Sequence, residues 1–242
     1  AAAWQAVKPE VDSEKEWAKL LQHNLQLLLA GDPQFPPLLR EMPWPPFGLY
    51  YKGAPNSNVI ARRYIAIVGT RKATLVGKEL ARKFGEALSA AGIMVVSGLA
   101  LGIDAAAHEG VVKSKGKAIA VLSVGLDQVY PPQNKGLAEQ ILEHGGALVS
   151  EYPIGAPSYP SRFIERNRII SGLCVGTIVI EAPKESGSLA TAQFALEQNR
   201  EVWVVPGPAN HPNYVGSHRL IKAGASLVTS ADDVLESLGI AP

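Results

Sequence analysis

The 242-residue chain reads as an α/β protein: a doubly wound, mostly parallel sheet with helices on both faces. Short apolar runs such as Tyr64–Val68 (YIAIV) recur along the chain, and an unbroken apolar run is what a strand buried on both faces of a parallel sheet requires. Between these runs lie stretches with apolar residues at helical spacing, as in Leu75, Leu80, Phe84, Ala87 and Leu88. Right-handed crossovers then place helices on both sides of the sheet.

Residues 1 to about 23 carry Trp4 and a charged stretch, DSEKEW, with a helix expected from Ser13 to Leu21. This segment offers too little apolar surface to fold alone, so residues 1–30 read as a helical attachment, the remnant of a helical domain, and 31–242 as the main domain. From Gly31 to Gly53 the chain is crowded with Pro and aromatic residues. Pro fixes its own torsion and pushes its predecessor out of the helical region, so an extended, packed arm ending in a strand at Leu49–Lys52 is expected.

The alternation then becomes regular. Strands are expected at 64–68, 93–96, 117–122, 147–150, 177–181, 201–205 and 226–228. Helices are expected at 74–91, 103–112, 134–144, 161–172, 188–198, 217–223 and 231–238. Gly92 closes the first of these helices. The segments GLDQVYPPQN and 151–161 read as loops.

The totals narrow the function classes. A net charge of +1 means that affinity for a polyanion must come from a local patch. One cysteine, Cys174, excludes an intrachain disulfide and a multi-thiolate metal site. No apolar run reaches the length of a membrane span and no signal peptide opens the chain, so a cytoplasmic protein without membrane contact is expected. GxGxxG at the first helix, GxxxxGK[ST] and GxSxG are all missing, and the histidines lack metal-ligand spacing. No cofactor or metal is indicated, and binding is favoured over catalysis.

In an open parallel sheet, ligands sit beyond the C-terminal ends of the strands, which directs attention to four loops. Gly69-Thr70-Arg71 joins a buried strand to a helix capped by Thr74, so free backbone N–H groups and a helix dipole are expected there, reinforced by Arg71. In SGLALGID (97–104), two glycines permit close backbone approach, and Asp104 and His108 lie one turn apart. The stretch Glu181–Ser188, with Lys184, Ser186, Gly187 and Ser188, reads equally as a phosphate cradle or as an N-cap with its turn. The helix after Pro160 carries Arg162, Arg166 and Arg168 around Phe163 and Asn167, with Arg162 and Arg166 on one face. Cations beside an aromatic ring suit single-stranded nucleic acid, although a solvated charged face reads the same way.

The blocks IAIVGTR, VVSGLALGIDAAAH, GKAIAVLSVGLDQVYPPQN, ALVSEYPIG, FIERNRIISGL, SGSLATA with ALEQNREVWVVPGP, and GSHRLIKAGA follow one another over roughly residues 45–235. In that order they resemble the DNA-processing protein A family, also called Smf. The resemblance implies an extended Rossmann-like core that binds single-stranded DNA without strong sequence preference, forms homodimers, and helps load the recombinase RecA during natural transformation. It implies no catalytic activity.

By motif, the resemblance points to Arg71 for DNA contact, to Phe163 as the pocket aromatic, to Arg166, Asn167 and Arg168 as the polar positions beside it, and to Ser186, Gly187 and Ser188 as the small-residue loop. Arg71, Arg162, Phe163, Arg166 and the 186–188 loop are expected to line one pocket, with Leu220, Ile221 and Leu227 either in the core or at a dimer surface. The chain departs from the family pattern at Pro132 and Pro160, where lysines are usual, and at Ile164, Glu165 and His218. A Rossmann-like nucleotide phosphoribohydrolase, or a mononucleotide-binding protein without catalysis, is the competing expectation. The hydrolases carry a catalytic Glu in a PGGxGTxxE segment, where this chain has SGSLATA.

Overall fold

The computed structural model describes residues 12–53 and 64–240; Trp4, with the rest of residues 1–11, lies outside the described residues. Helix α1 (Ser13–Gln22) starts at Asp12, whose carboxylate accepts the Lys15 N–H. Strand β1 (Gln26–Leu29), the helical turn α2 (Pro37–Arg40) and strand β2 (Gly48–Gly53) follow. The alternating region then runs β3 (Tyr64–Val68), α3 (Leu75–Ala90), β4 (Met94–Ser97), α4 (Ile103–Lys113), β5 (Ala118–Leu122), α5 (Lys135–Glu143) and β6 (Ala147–Ser150). The last part is α6 (Pro160–Gly172), β7 (Gly176–Val179), α7 (Gly187–Glu197), β8 (Glu201–Val204), α8 (Val215–Lys222), β9 (Ser226–Leu227) and α9 (Ala231–Ser237).

The strands form one nine-stranded sheet in the order β1-β2-β6-β5-β4-β3-β7-β8-β9. Strands β3 to β9 are parallel, with Ala66 of β3 opposite Val96 of β4 on one side and Thr177 of β7 on the other. Two strands run outside this parallel block: β2 pairs antiparallel with β6, and β1 pairs antiparallel with β2. The expected fold class is therefore present, a mostly parallel sheet covered on both faces.

The sheet begins earlier than expected. Gln26–Leu29 is an edge strand inside the segment read as helical, because a lone QLLL has no periodicity to mark it and becomes a strand only by pairing Leu27 with Tyr50 of β2. The arm of residues 31–53 likewise contains a helical turn, α2, entered through Pro36 and Pro37 where a missing N–H costs nothing.

Alternation along β3 divides the core. Ile65 and Ile67 face one side and pack with Phe84 and Leu88 of α3, Ala107 of α4, Ile141 of α5, and Val234 and Leu235 of α9. Ala66 and Val68 face the other side and pack with Ile169 and Ile170 of α6, Ala192 and Ala195 of α7, and Phe35 and Leu39 from the arm. Leu220 and Ile221 are partly buried against this second layer, whereas Leu227 is 53% exposed.

Chain direction across the sheet reverses at β3. From β3 the strands step outward through β4 and β5 to β6, while β7, β8 and β9 step outward on the opposite side. Adjacent β3 and β7 thus send their following helices away from each other, and a crevice opens above their C-terminal ends. Among the described residues, no helix is long and apolar enough to cross a membrane.

Candidate functional site

A cleft of about 530 Å³ occupies this reversal point, bounded by the β3–α3 turn, the start of α6, the loop before α7, and Tyr130. Arg71 is exposed on the β3–α3 turn and lays its guanidinium over the ring of Phe163 from α6, 4.6 Å from the centroid. Tyr130 meets the same ring at 5.5 Å with the planes inclined by 53°. Two residues singled out from distant parts of the sequence, Arg71 and Phe163, therefore meet in one cleft.

Several N–H groups of the β3–α3 turn are already engaged within the protein, contrary to the expectation of free ones. Thr70 N–H donates to the Glu181 carbonyl at 2.8 Å, and Thr74 N–H donates to Glu181 Oε2 at 3.0 Å. The Thr74 hydroxyl also donates to the Glu181 carboxylate, while its oxygen caps α3 by accepting the Gly77 N–H at 2.9 Å. Asn213 Nδ2 and Tyr214 Oη complete the shell at 3.0 and 3.1 Å. An internal carboxylate, fully buried, thus occupies the positive end of α3. Burial, and then the neighbouring Glu181 charge, pushes the Tyr214 hydroxyl up to about 12. Gly77 makes room for this arrangement: a Cβ there would lie 2.3 Å from Glu181 Oε1.

The start of α7 is more open. Ser186 caps it by accepting the Ser188 N–H at 3.3 Å, and the two hydroxyls lie 2.7 Å apart. Asn167 Nδ2 donates to the Gly187 carbonyl at 3.2 Å, tying α6 to this loop. Gly187 is exposed, and a Cβ there would meet only Ile164 Cδ1 at 3.9 Å. Lys184 is exposed but does not line the cleft; the side chain that does is the acidic Glu185.

The three arginines of α6 diverge. Arg166 is buried, donating from Nη1 to the Gly98 carbonyl at 2.8 Å and to that of Val121. It reaches them because Gly98 lacks a side chain, whose Cβ would lie 2.4 Å from Nη1. Burial lowers the Arg166 guanidinium to about 10. Asp104 accepts the Gly98 N–H at 3.0 Å; burial raises its carboxyl, opposed by the charge of Arg166. Burial, with a smaller contribution from Arg166, pushes His108 down to about 4.

Arg162, expected on the same face as Arg166, instead stacks between Tyr152 and Tyr159 at 4.6 and 4.9 Å and donates to the Pro157 carbonyl. In the first helical turn its long stem follows the preceding loop outward, whereas Arg166, one turn further in, is drawn beneath the sheet's end. Arg168 sits on neither path, holding both carboxylate oxygens of Glu151 from Nη2 at 2.7 Å. Of the arginines expected in the pocket, Arg71 and Arg166 line it; Arg162 does not.

Two side chains important to this geometry carry little signal in the sequence. Glu181 sits directly after an apolar strand, where a buried carboxylate has no local signature. Tyr130 stands in the loop GLDQVYPPQN, where an aromatic beyond a strand end is the one cue available. Among the described residues, no group of His, Cys, Asp and Glu could hold a metal ion.

Comparison with known proteins places this geometry among relatives. The profile of the family described as DNA recombination-mediator protein A matches residues 26–239. Protein Smf of Escherichia coli is 42% identical over 230 residues, which is 95% of this chain and 61% of the relative's length. The X-ray structure of DNA processing protein A from Streptococcus pneumoniae superposes with a TM-score of 0.87 at 38% identity, covering 97% of this chain and 81% of the other. The Helicobacter pylori DNA processing protein A, whose structure was described for its single-stranded DNA binding mode, gives a TM-score of 0.78 at 26% identity, covering 88% of this chain and 95% of the other.

Proposed function

The chain belongs to the DNA recombination-mediator protein A family, and from that premise we propose that it is a single-stranded DNA-binding protein of DNA processing in natural transformation, without strong sequence preference and without catalytic activity of its own. The observation that carries this reading is the exposed Arg71 stacked on Phe163 at the mouth of the cleft, beside the open start of α7. An exposed cation next to an aromatic face suits a chain that offers phosphates and bases alternately. The Helicobacter pylori relative's binding of single-stranded DNA supports the same assignment.

In this reading Arg71 meets phosphate, the Ser186–Ser188 loop receives a second phosphate at its exposed Gly187, and the ring of Phe163 packs in the pocket beneath the DNA strand. Arg166 and Asn167 hold the cleft's shape from below, and residues 31–242 act as the DNA-binding unit with residues 1–30 attached. Protection of incoming DNA, help in loading RecA, and a homodimer whose two clefts share one strand belong to the same proposal. Linking two small sites raises the effective concentration of the second. A cytoplasmic location follows from these partners.

Titration of labelled oligo-dT, oligo-dA and oligo-dC of increasing length at two salt concentrations tests the reading. The expected result is similar affinity for the three bases, tighter binding to longer strands, and a logarithmic salt slope of about −0.7 per phosphate neutralised. Tighter binding of a mononucleotide than of any oligomer, or release of free base from a nucleoside monophosphate, would replace this reading with the competing ones. The helix start from Ser186 to Ala192 carries no carboxylate where the hydrolases have their catalytic Glu, and the base-release assay decides whether Glu185, on the cleft wall, takes that part.

A further inference from the structure

The cleft contains an aromatic ring for which the family likeness assigned no role. Tyr130 is 41% exposed, lines the cleft, and touches Phe163 at 5.5 Å with a 53° tilt. Phe163 is half-buried and already engaged: Arg71 covers it at 4.6 Å and Tyr130 abuts it. In this arrangement Phe163 is the hub that positions two neighbours, and Tyr130 is the more exposed ring of the pair.

The loop bearing Tyr130 is held from both ends. Before it, Gln128 Nε2 donates to the Ala156 carbonyl at 3.1 Å, and Gly125 N–H donates to the same carbonyl at 3.1 Å. After it, the buried Asn134 donates from Nδ2 to the Leu99 carbonyl at 2.8 Å. An aromatic ring with few torsions, on an anchored loop, loses little freedom when a flat ligand lies on it.

We propose that Tyr130 is a base-stacking residue of the DNA site: it carries one nucleobase on its open face while Phe163 holds it, and Arg71 engages the phosphate of the same stretch of strand. This rests on the proposed function and deepens it by naming where a base sits. Stacking tolerates any base, because every base has a π-face, so the assignment fits a site without sequence preference. The hydroxyl of Tyr130 has no part in this role, and a phenyl ring serves equally.

The test compares Tyr130→Ala, Tyr130→Leu and Tyr130→Phe with the parent and with Arg71→Ala. Fluorescence anisotropy is read on oligo-dT and on an abasic strand of the same length, with thermal melting as the folding control. Expected is a loss on the order of 5- to 100-fold for oligo-dT in the Ala and Leu variants, the range for one base–aromatic stack. Affinity for the abasic strand changes less than about twofold, and the Phe variant binds as the parent does. Parent-like binding of oligo-dT by Tyr130→Ala, with Arg71→Ala impaired, overturns the assignment and leaves the cleft as the DNA site. Equal losses on both strands also overturn it, reducing Tyr130 to a support of the loop. Failure of the parent to bind oligo-dT overturns the proposed function itself.

Discussion

The Arg71 guanidinium rests 4.6 Å from the centroid of the Phe163 ring, so the cation offered to a ligand and the aromatic surface beside it cover one another. A guanidinium on a ring face keeps its charge and most of its hydrogen-bonding edge available while being restrained in direction. The pair thus presents cation and ring as one contact at the cleft.

This relationship predicts coupled effects on binding. Arg71→Ala should abolish most oligo-dT affinity and flatten the salt slope by about 0.7 for each phosphate that the guanidinium neutralises. Phe163→Ala should weaken binding too, and the double variant should fall short of additivity by roughly 0.5–2 kcal/mol, the range for a cation–π contact. Binding isotherms of the four proteins at two salt concentrations measure it.

Glu185 brings a carboxylate to the wall of a cleft proposed to hold a polyanion. Glu185→Gln should therefore tighten oligo-dT binding by a few-fold, on the order of 0.5–1 kcal/mol, and the gain should shrink as salt is raised. Lys184→Ala, on the solvent side of the same loop, should change affinity less than Arg71→Ala does.

Arg168 faces Glu151 and not the cleft. With side chains only 17% and 23% exposed and both carboxylate oxygens engaged, the pair is a stability element. Arg168→Ala should lower unfolding stability by about 1–3 kcal/mol while leaving oligo-dT affinity within roughly twofold of the parent. Urea denaturation and anisotropy together separate the two effects.

His108 makes stability depend on acid. Buried and held down at about 4, its imidazole stays neutral in the fold at a pH where the unfolded chain, with an ordinary value of 6.5, takes up a proton. The unfolded state binds more protons in that window, so His108 reduces stability progressively as pH falls from about 6.5 to about 4, by up to roughly 3 kcal/mol. Asp104 acts with the opposite sign: its raised carboxyl lets the fold bind a proton more readily than the unfolded chain does, and Arg166 faces both groups. The subtraction that isolates His108 is parent minus His108→Gln across pH 4 to 7 by urea denaturation; it should slope, with the variant less sensitive to acid.

The fold was legible where burial on both faces demands an uninterrupted apolar run. Tyr64–Val68 is such a run and lies inside the sheet between β4 and β7, whereas Gln26–Leu29 lies at the edge and owes its conformation to β2. The cleft was legible through its loops, because the C-terminal ends of the strands at a reversal of strand order leave a crevice that the following loops must line. Side-chain direction was not. Arg162 and Arg166 share a helical face by spacing, yet one lies among tyrosines and the other reaches a carbonyl 68 positions away that only a side-chain-free Gly98 exposes. The occupancy of the α3 terminus was equally hidden, since the Thr74–Glu181 contact joins residues 107 apart.

The shell around Glu181 also bears on when the protein becomes competent during synthesis. Its carboxylate draws on Thr74, which is made long before it, and on Asn213 and Tyr214, which are made after it. A nascent polypeptide emerging from the ribosome therefore completes the shell only once translation has passed Tyr214, and premature termination before Asn213 would yield a chain with the recognition residues present but the Glu181 carboxylate short of its Asn213 and Tyr214 donors.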